Sequence, residues 1–259
     1  MSDFMDVLAR VAQITIDSEY YDGLKPTDSM SVSLRQAILD CQVNPIITEI
    51  KSASPSAGVI RANVDSKLIA KAMEKGGAIA LSVLTEPKQF NGSLEALAQA
   101  REVVKLPILM KDIILSPIQV QAASKIGANA VLLIKALYDR GYSEKTLDEM
   151  INGAHQLGLE VLLETHTLPE FVSALKTNAD LIGINNRNLA TLKVDLTVTK
   201  DILSVINPKN KLIVSESGIN TSADLHFLRE SGASAFLIGS AIMTSDNIEQ
   251  KVREFVNAK

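Results

Sequence analysis

Apolar residues along this chain fall into short, nearly continuous runs separated by longer stretches of helical periodicity. The runs begin near Ile46, Ile79, Pro107, Ala130, Glu160, Leu181, Leu212 and Ala235. They recur about every 27 residues, the length of one strand-plus-helix unit. Each is five to seven residues of mostly Val, Ile, Leu and Ala, the pattern of strands buried on both faces of a parallel sheet. Between them the spacing predicts amphipathic helices. Leu68, Ile69, Ala72 and Met73 are expected on one face, as are Leu94, Leu97 and Val104 with Arg101 at its edge. Start and stop signals agree. Ser116-Pro117-Ile118-Gln119 and Thr167-Leu168-Pro169-Glu170 each predict a capping box, and Gly76-Gly77, Gly127 and Gly232 each predict a left-handed helix end.

Eight strands alternating with helices predict an α/β protein, a closed (β/α)8 TIM barrel. The rival, a doubly wound open sheet, usually carries a Gly-rich first turn, and neither G-x-G-x-x-G nor G-x-x-x-x-G-K-[ST] occurs here. The expected organisation is one domain over 1–259. In it 45–259 form the barrel, and 1–44 are an N-terminal helical extension able to lie over one end of it.

Composition narrows the function without choosing one. A formal net charge of -4 with no Lys/Arg run argues against nucleic acid or anionic lipid as partner. No stretch approaches a membrane span, and Met1-Ser2-Asp3-Phe4 opens without the pattern of a secretory leader. The one cysteine, Cys41, cannot form an intramolecular disulfide and suits a reducing compartment. It is expected to be a small apolar filler. The expectation is therefore a cytoplasmic protein, monomeric or weakly dimeric.

The polar residues that end the apolar runs carry the chemistry. Barrels of this kind keep their active sites at the C-terminal ends of the strands. Here those ends read Thr48-Glu49-Ile50-Lys51, Leu109-Met110-Lys111-Asp112, Leu162-Leu163-Glu164, Ile184-Asn185-Asn186-Arg187 and Ser215-Glu216-Ser217-Gly218. Side chains alternate along a strand, so Glu49 and Lys51 share a face with Ile47 beneath them. Three carboxylates and two ammonium groups could then meet in one partly desolvated cup and supply both an acid and a base near neutral pH. Inert salt bridges are the plain alternative at any single strand end, and a weaker one for five ends together. Ser217-Gly218 after the seventh strand and Gly239-Ser240 after the eighth stand where barrels commonly hold a phosphate on backbone N–H groups, and Ser54-Pro55-Ser56 could close over it. Of the histidines, His155 and His226 fall within helices. His166 follows Glu164 by two residues and is expected at the surface or behind the site. No metal-ligand spacing appears.

Taken together, Glu49-Ile50-Lys51-Ser52-Ala53-Ser54-Pro55-Ser56, Phe90-Asn91-Gly92-Ser93, Leu109-Met110-Lys111-Asp112, Gly183-Ile184-Asn185-Asn186-Arg187, Ser215-Glu216-Ser217-Gly218 and Phe236-Leu237-Ile238-Gly239-Ser240 resemble, in order and spacing, the indole-3-glycerol-phosphate synthases. The resemblance runs from about residue 45 to 243. It implies a carboxy-lyase of tryptophan biosynthesis, free of metal and organic cofactor. The implied substrate is a small phosphorylated molecule, 1-(2-carboxyphenylamino)-1-deoxyribulose 5-phosphate, and the products are indole-3-glycerol phosphate, CO2 and water. It also implies roles. Lys111 is the general acid at the substrate ketone. Lys51, near the substrate carboxylate and phosphate, is an acid for dehydration, and Glu164 its partner. Glu49 and Glu216 tune the lysines, with Asn185 hydrogen-bonding alongside. Arg187 holds an anionic group, and Phe90, Leu132 and Leu189 form an apolar wall. Ser54, Ser56, Ser217, Gly218, Gly239 and Ser240 bind phosphate. Three positions depart from the family's usual residues: Ser52 replaces a second basic residue, Ile113 a Phe and Asn188 an Asp. Two rival readings remain. A phosphoribosylanthranilate-isomerase-like barrel would need a Cys base ending the first strand, where Glu49 and Lys51 stand. An inactive ligand-binding partner subunit would be expected to have lost part of the ionisable set.

Overall fold

The computed structural model describes residues 3–27, 31–54, 58–61, 64–189 and 191–259. Eight parallel strands close into a barrel: β1 (Ile46–Ile50), β4 (Ala80–Leu84), β5 (Ile108–Lys111), β6 (Ala130–Ile134), β7 (Glu160–Thr165), β8 (Leu181–Asn185), β9 (Leu212–Glu216) and β10 (Ala235–Ile238). β10 pairs back onto β1. A two-stranded antiparallel hairpin, β2 (Ala53–Ser54) and β3 (Gly58–Val59), follows β1. The strands begin within one residue of the apolar runs, because a strand buried on both faces must be apolar throughout.

Twelve helices are described: α1 (Phe4–Asp17), α2 (Leu34–Asp40), α3 (Ser66–Lys75), α4 (Leu94–Arg101), α5 (Pro117–Lys125), α6 (Lys135–Asp139), α7 (Leu147–Gln156), α8 (Leu168–Ala174), α9 (Thr197–Val205), α10 (Ser222–Glu230), α11 (Ser240–Met243) and α12 (Ile248–Val256). Gly77, Gly127 and Gly232 do take positive φ after α3, α5 and α10, the conformation in which the missing Cβ costs nothing. Among the described residues no helix is long and apolar enough to cross a membrane.

The core has two layers that follow the strand alternation. Ile46, Leu81, Ile108, Val131, Val161, Ile182 and Phe236 face outward to the helices. Ile47, Leu109, Ala130, Leu162, Leu181, Val214 and Ala235 fill the barrel interior. The parity that sends Ile47, Leu109, Leu162 and Val214 inward also sends Glu49, Lys111, Glu164 and Glu216 inward, one layer nearer the strand ends.

Four expectations are corrected. Leu68 lies 66% exposed while Ile69, Ala70 and Met73 are buried, so the buried face of α3 is turned away from Leu68. Arg101 is not at an edge. It is 5% exposed, and its guanidinium donates to Asn129 Oδ1 at 3.0 Å and to the carbonyls of Val104 and Leu106 at 2.5 and 2.9 Å. Those acceptors stand in for water around a buried cation. At α8 the capping box is not reciprocal: Thr167 caps the Glu170 N–H, but the Glu170 carboxylate accepts from the His166 N–H at 2.8 Å. The N-terminal extension serves both ends of the barrel. α1 lies over the mouth, where Arg140 holds Asp3 and Asp6 at 2.7 and 3.0 Å. α2 lies at the opposite end, where Ser33 and the Arg35 N–H donate to Glu160 at the start of β7.

Candidate active site

One pocket at the C-terminal ends of the strands brings most of the sequence-predicted residues together. Glu49, Lys51, Phe90, Lys111, Leu132, Glu164, Asn185, Arg187, Leu189, Ser217, Gly218, Gly239 and Ser240 all line it, and the cavity measures about 250 Å³. Glu216 lies just beneath, fully buried. Ser56 falls outside the described residues. Of Ser54 only the backbone is described, in β2.

Lys111 is the hub. Its Nζ stands 2.7 Å from Glu216 Oε2, 3.5 Å from Glu49 Oε2 and 3.9 Å from Glu164 Oε2. Lys51 pairs with the other Glu49 oxygen at 2.6 Å. Burial alone would drive each of these groups toward its neutral form. For Lys111 the three surrounding carboxylates outweigh burial and raise its pKa. For Glu49, burial is overcome by Lys51 and Lys111, and its pKa is lowered. Glu164 is likewise lowered, to about 2, because His166, Lys111 and Asn185 outweigh its burial. Glu216 goes the other way. Burial, together with Glu164 and Glu49, exceeds the pull of Lys111 and raises it to about 7. Neighbouring carboxylates on one ring of strands are thus pushed apart, one firmly ionised and one able to hold a proton near neutrality. That is the condition for acid and base to coexist in one site.

Two glycines make room for this cluster. A Cβ on Gly183 would lie 2.2 Å from Glu216 Oε1, and one on Gly239 would lie 2.5 Å from Glu49 Oε1 and 3.0 Å from Lys51 Nζ. At the other side of the pocket, Ser217 and Gly218 take φ of 67° and 88° in succession. This turn brings their backbone to the cavity wall, and a Cβ on Gly218 would strike Val194 at 2.4 Å. Arg187 reaches the pocket from a short loop in which it bridges to Val194. Its N–H donates to Asn185 Oδ1 at 3.0 Å and its guanidinium to the Leu192 carbonyl at 2.9 Å.

Several contributors escaped the sequence reading. Phe4 and Leu8 of α1 line the pocket; an amphipathic helix does not announce what its apolar face covers. Glu86 is buried, and its carboxylate accepts the N–H groups of Lys88, Gln89 and Phe90 at 2.8, 2.6 and 3.1 Å. It folds the turn that presents the Phe90 ring. The detectable signal was a carboxylate closing an apolar run four residues before an aromatic. Asp112 is buried under hydrogen bonds from Thr85 and Tyr21 (3.0 Å for the latter), which tie the extension to the end of β5. Of the two places expected for His166, it takes the one behind the site. Its side chain is 10% exposed and lies against Glu164. Among the described residues no group of three His, Cys, Asp or Glu side chains is disposed to hold a metal ion.

Comparison with known proteins agrees in both sequence and shape. A family model described as indole-3-glycerol phosphate synthase matches residues 6–255. The chain is 52% identical over 215 residues to the indole-3-glycerol phosphate synthase of Methanocaldococcus jannaschii, covering 82% of this chain and 78% of that one. It is 42% identical over 252 residues to the protein of the same name from Dehalococcoides mccartyi, covering 96% and 92%. Among solved structures it resembles a thiamine phosphate pyrophosphorylase from Pyrococcus furiosus, at a TM-score of 0.61 and 16% identity over 86% of this chain and 96% of that one. That last likeness speaks to the fold alone.

Proposed function

The chain belongs to the indole-3-glycerol phosphate synthase family, and from that premise we infer which of its residues carry the reaction. The activity is that of a carboxy-lyase in tryptophan biosynthesis. It converts 1-(2-carboxyphenylamino)-1-deoxyribulose 5-phosphate to indole-3-glycerol phosphate, CO2 and water. The ring carbon bearing the carboxylate must bond to the ribulose ketone carbon, and the ketone oxygen must gain a proton as it becomes an alcohol. The carboxylate then leaves as CO2. Finally the new hydroxyl leaves as water while the carbon beside the nitrogen loses a proton.

Lys111 is the general acid at the ketone. The observation that carries this assignment is its position among three carboxylates from three other strands, at 2.7, 3.5 and 3.9 Å. These keep it protonated in a buried site, ready to neutralise a developing alkoxide. Lys51, exposed to the pocket and held by Glu49 at 2.6 Å, is the acid for the departing hydroxyl, and Glu164 the base for the carbon-bound proton. Glu49 and Glu216 hold the lysines and the substrate hydroxyls, with Asn185 beside them. Phe90, Leu132 and Leu189 clasp the aromatic ring, and Arg187 takes an anionic group. The phosphate rests on the backbone of Ser217-Gly218 and Gly239-Ser240, a reading supported by the consecutive left-handed residues at 217 and 218. The reading takes the protein as a monomer or weak homodimer that acts on a small phosphorylated molecule in the cytoplasm.

Turnover followed by indole fluorescence tests the assignment in wild type and Lys111→Ala. Activity in the wild type and a loss of about 100-fold or more in the variant are expected, the usual scale for removing a general acid. Full activity in the variant would move the acid role to Lys51. Ligand binding without wild-type turnover would favour a barrel that has kept its pocket and lost its chemistry.

A further inference from the structure

The reaction consumes a proton from outside. The ketone oxygen takes one proton and the departing hydroxyl another, whereas the carbon beside the nitrogen returns only one; the carboxylate leaves as CO2. One proton per turnover must therefore enter a cup whose ionisable groups are nearly sealed, and a bound substrate fills the mouth. Glu49, Glu164 and Glu216 side chains are 4%, 3% and 0% exposed.

A second way in leads through the wall. Glu164 Oε2 faces Lys111, but its Oε1 turns outward to His166 Nε2 at 3.2 Å. The other ring nitrogen, Nδ1, stands 3.6 Å from Glu170 Oε2. Glu170 lies in the first turn of α8, and its side chain is 17% exposed. A carboxylate, an imidazole and a second carboxylate thus run in line from the cup to the surface. Both ring nitrogens are buried and neither is in an aligned hydrogen bond, so no such bond fixes the orientation of the ring. An imidazole serves here because it can receive at one nitrogen and release at the other.

We propose that His166 relays protons between Glu170 at the surface and Glu164 in the cup, and positions the Glu164 carboxylate while doing so. The imidazolium passes its Nε2 proton to Glu164, which hands it to the lysines; the neutral ring then turns over, and its bare nitrogen takes up a proton that has landed on Glu170. The inference rests on Glu164 acting as assigned above. Burial opposes a charged imidazole, but Glu164 and Glu170 outweigh it and raise His166 to about 9, which keeps the relay loaded at neutral pH. The groups that face Glu164 are His166, Lys111, Asn185 and, through Lys111, Glu216 and Glu49; those that face His166 are Glu164 and Glu170.

The test compares His166→Gln and Glu170→Gln with wild type and Lys111→Ala. Both relay variants keep polar side chains of similar size but cannot pass a proton. Expected for each are a KM within about twofold of wild type and a kcat lowered about tenfold, below the full effect of losing a general acid. High concentrations of imidazole buffer should restore part of kcat. In His166→Gln the acid limb of the kcat profile should also move to higher pH, because Glu164 loses its cationic neighbour. Wild-type kcat in both variants would overturn the relay, as would losses that neither buffer nor pH moves, since those describe packing alone. Lys111→Ala separates the two failures: if it stays active, the site assignment fails; if it is dead while both relay variants are normal, only the relay does.

Discussion

Gly183 carries no side chain because a neighbour's carboxylate fills the space one would need. Its Cβ would lie 2.2 Å from Glu216 Oε1, and Glu216 cannot retreat, being fully buried and tied to Lys111 at 2.7 Å. Gly183→Ala is expected to cost about 1–3 kcal/mol of stability through overpacking. It should lower kcat more than it raises KM, because the displaced carboxylate moves Lys111; urea melts and steady-state kinetics check both halves. Asp112 offers a test with a sign. Burial raises it to about 6 against hydrogen bonds from Thr85, the Ile113 N–H and Tyr21. A carboxyl whose folded value lies above its unfolded one, 3.8, stabilises the fold below that unfolded value, and the contribution is lost as pH rises through about 6. The stability of wild type relative to Asp112→Asn should therefore fall by about 1–1.5 kcal/mol between pH 5 and 8. An unchanged difference would mean that Asp112 is already charged at the lower pH.

The elements divide into those whose sequence pattern points to one environment and those whose pattern points to several. Strands β1 and β4 to β10 were legible to within a residue because burial on both faces leaves no polar position to confuse. Helices were legible as helices but not always in rotation. In α3 the apolar residues at 68, 69, 72 and 73 span more arc than the barrel covers, and the strip that packs is centred on Ile69 and Met73, leaving Leu68 66% exposed. Alanine substitution makes the distinction measurable: Ile69→Ala should cost about 2–5 kcal/mol, and Leu68→Ala less than about 0.5 kcal/mol. The destination of the extension was illegible for a related reason. Asp3 and Asp6 find Arg140, and Tyr21 finds Asp112 at 3.0 Å, across separations that no local pattern encodes. The cup itself was legible because strand alternation is a strict rule, so Ile47 inward entails Glu49 inward. His166, just past the strand end, obeys no such rule, and its partner Glu170 masqueraded as half of a capping box.

At the scale of the whole molecule, a protein of net charge -4 must draw an anionic substrate into a cup that holds three carboxylates. Local arrangement decides this. With Glu216 protonated, Glu49 and Glu164 balance Lys51 and Lys111, and the cup is neutral toward its ligand. Arg187 and the backbone donors at 217, 218, 239 and 240 are then left to attract the phosphate and carboxylate. The balance is sensitive to pH at one group, since Glu216 is raised to about 7, by burial first and by Glu164 and Glu49 after it. Above that value the cup gains a negative charge next to the bound anion, and attraction turns to repulsion within a site of low dielectric. KM should therefore rise as pH increases through about 7 and 8 in the wild type. In Glu216→Gln, whose amide cannot ionise, KM should stay nearly level across the same range, whatever happens to kcat. A wild-type KM that does not change with pH, or a Glu216→Gln KM that climbs in parallel with it, would place the proton on another member of the cluster. The rise, if confined to the wild type, would show that one buried carboxyl sets the charge the substrate meets.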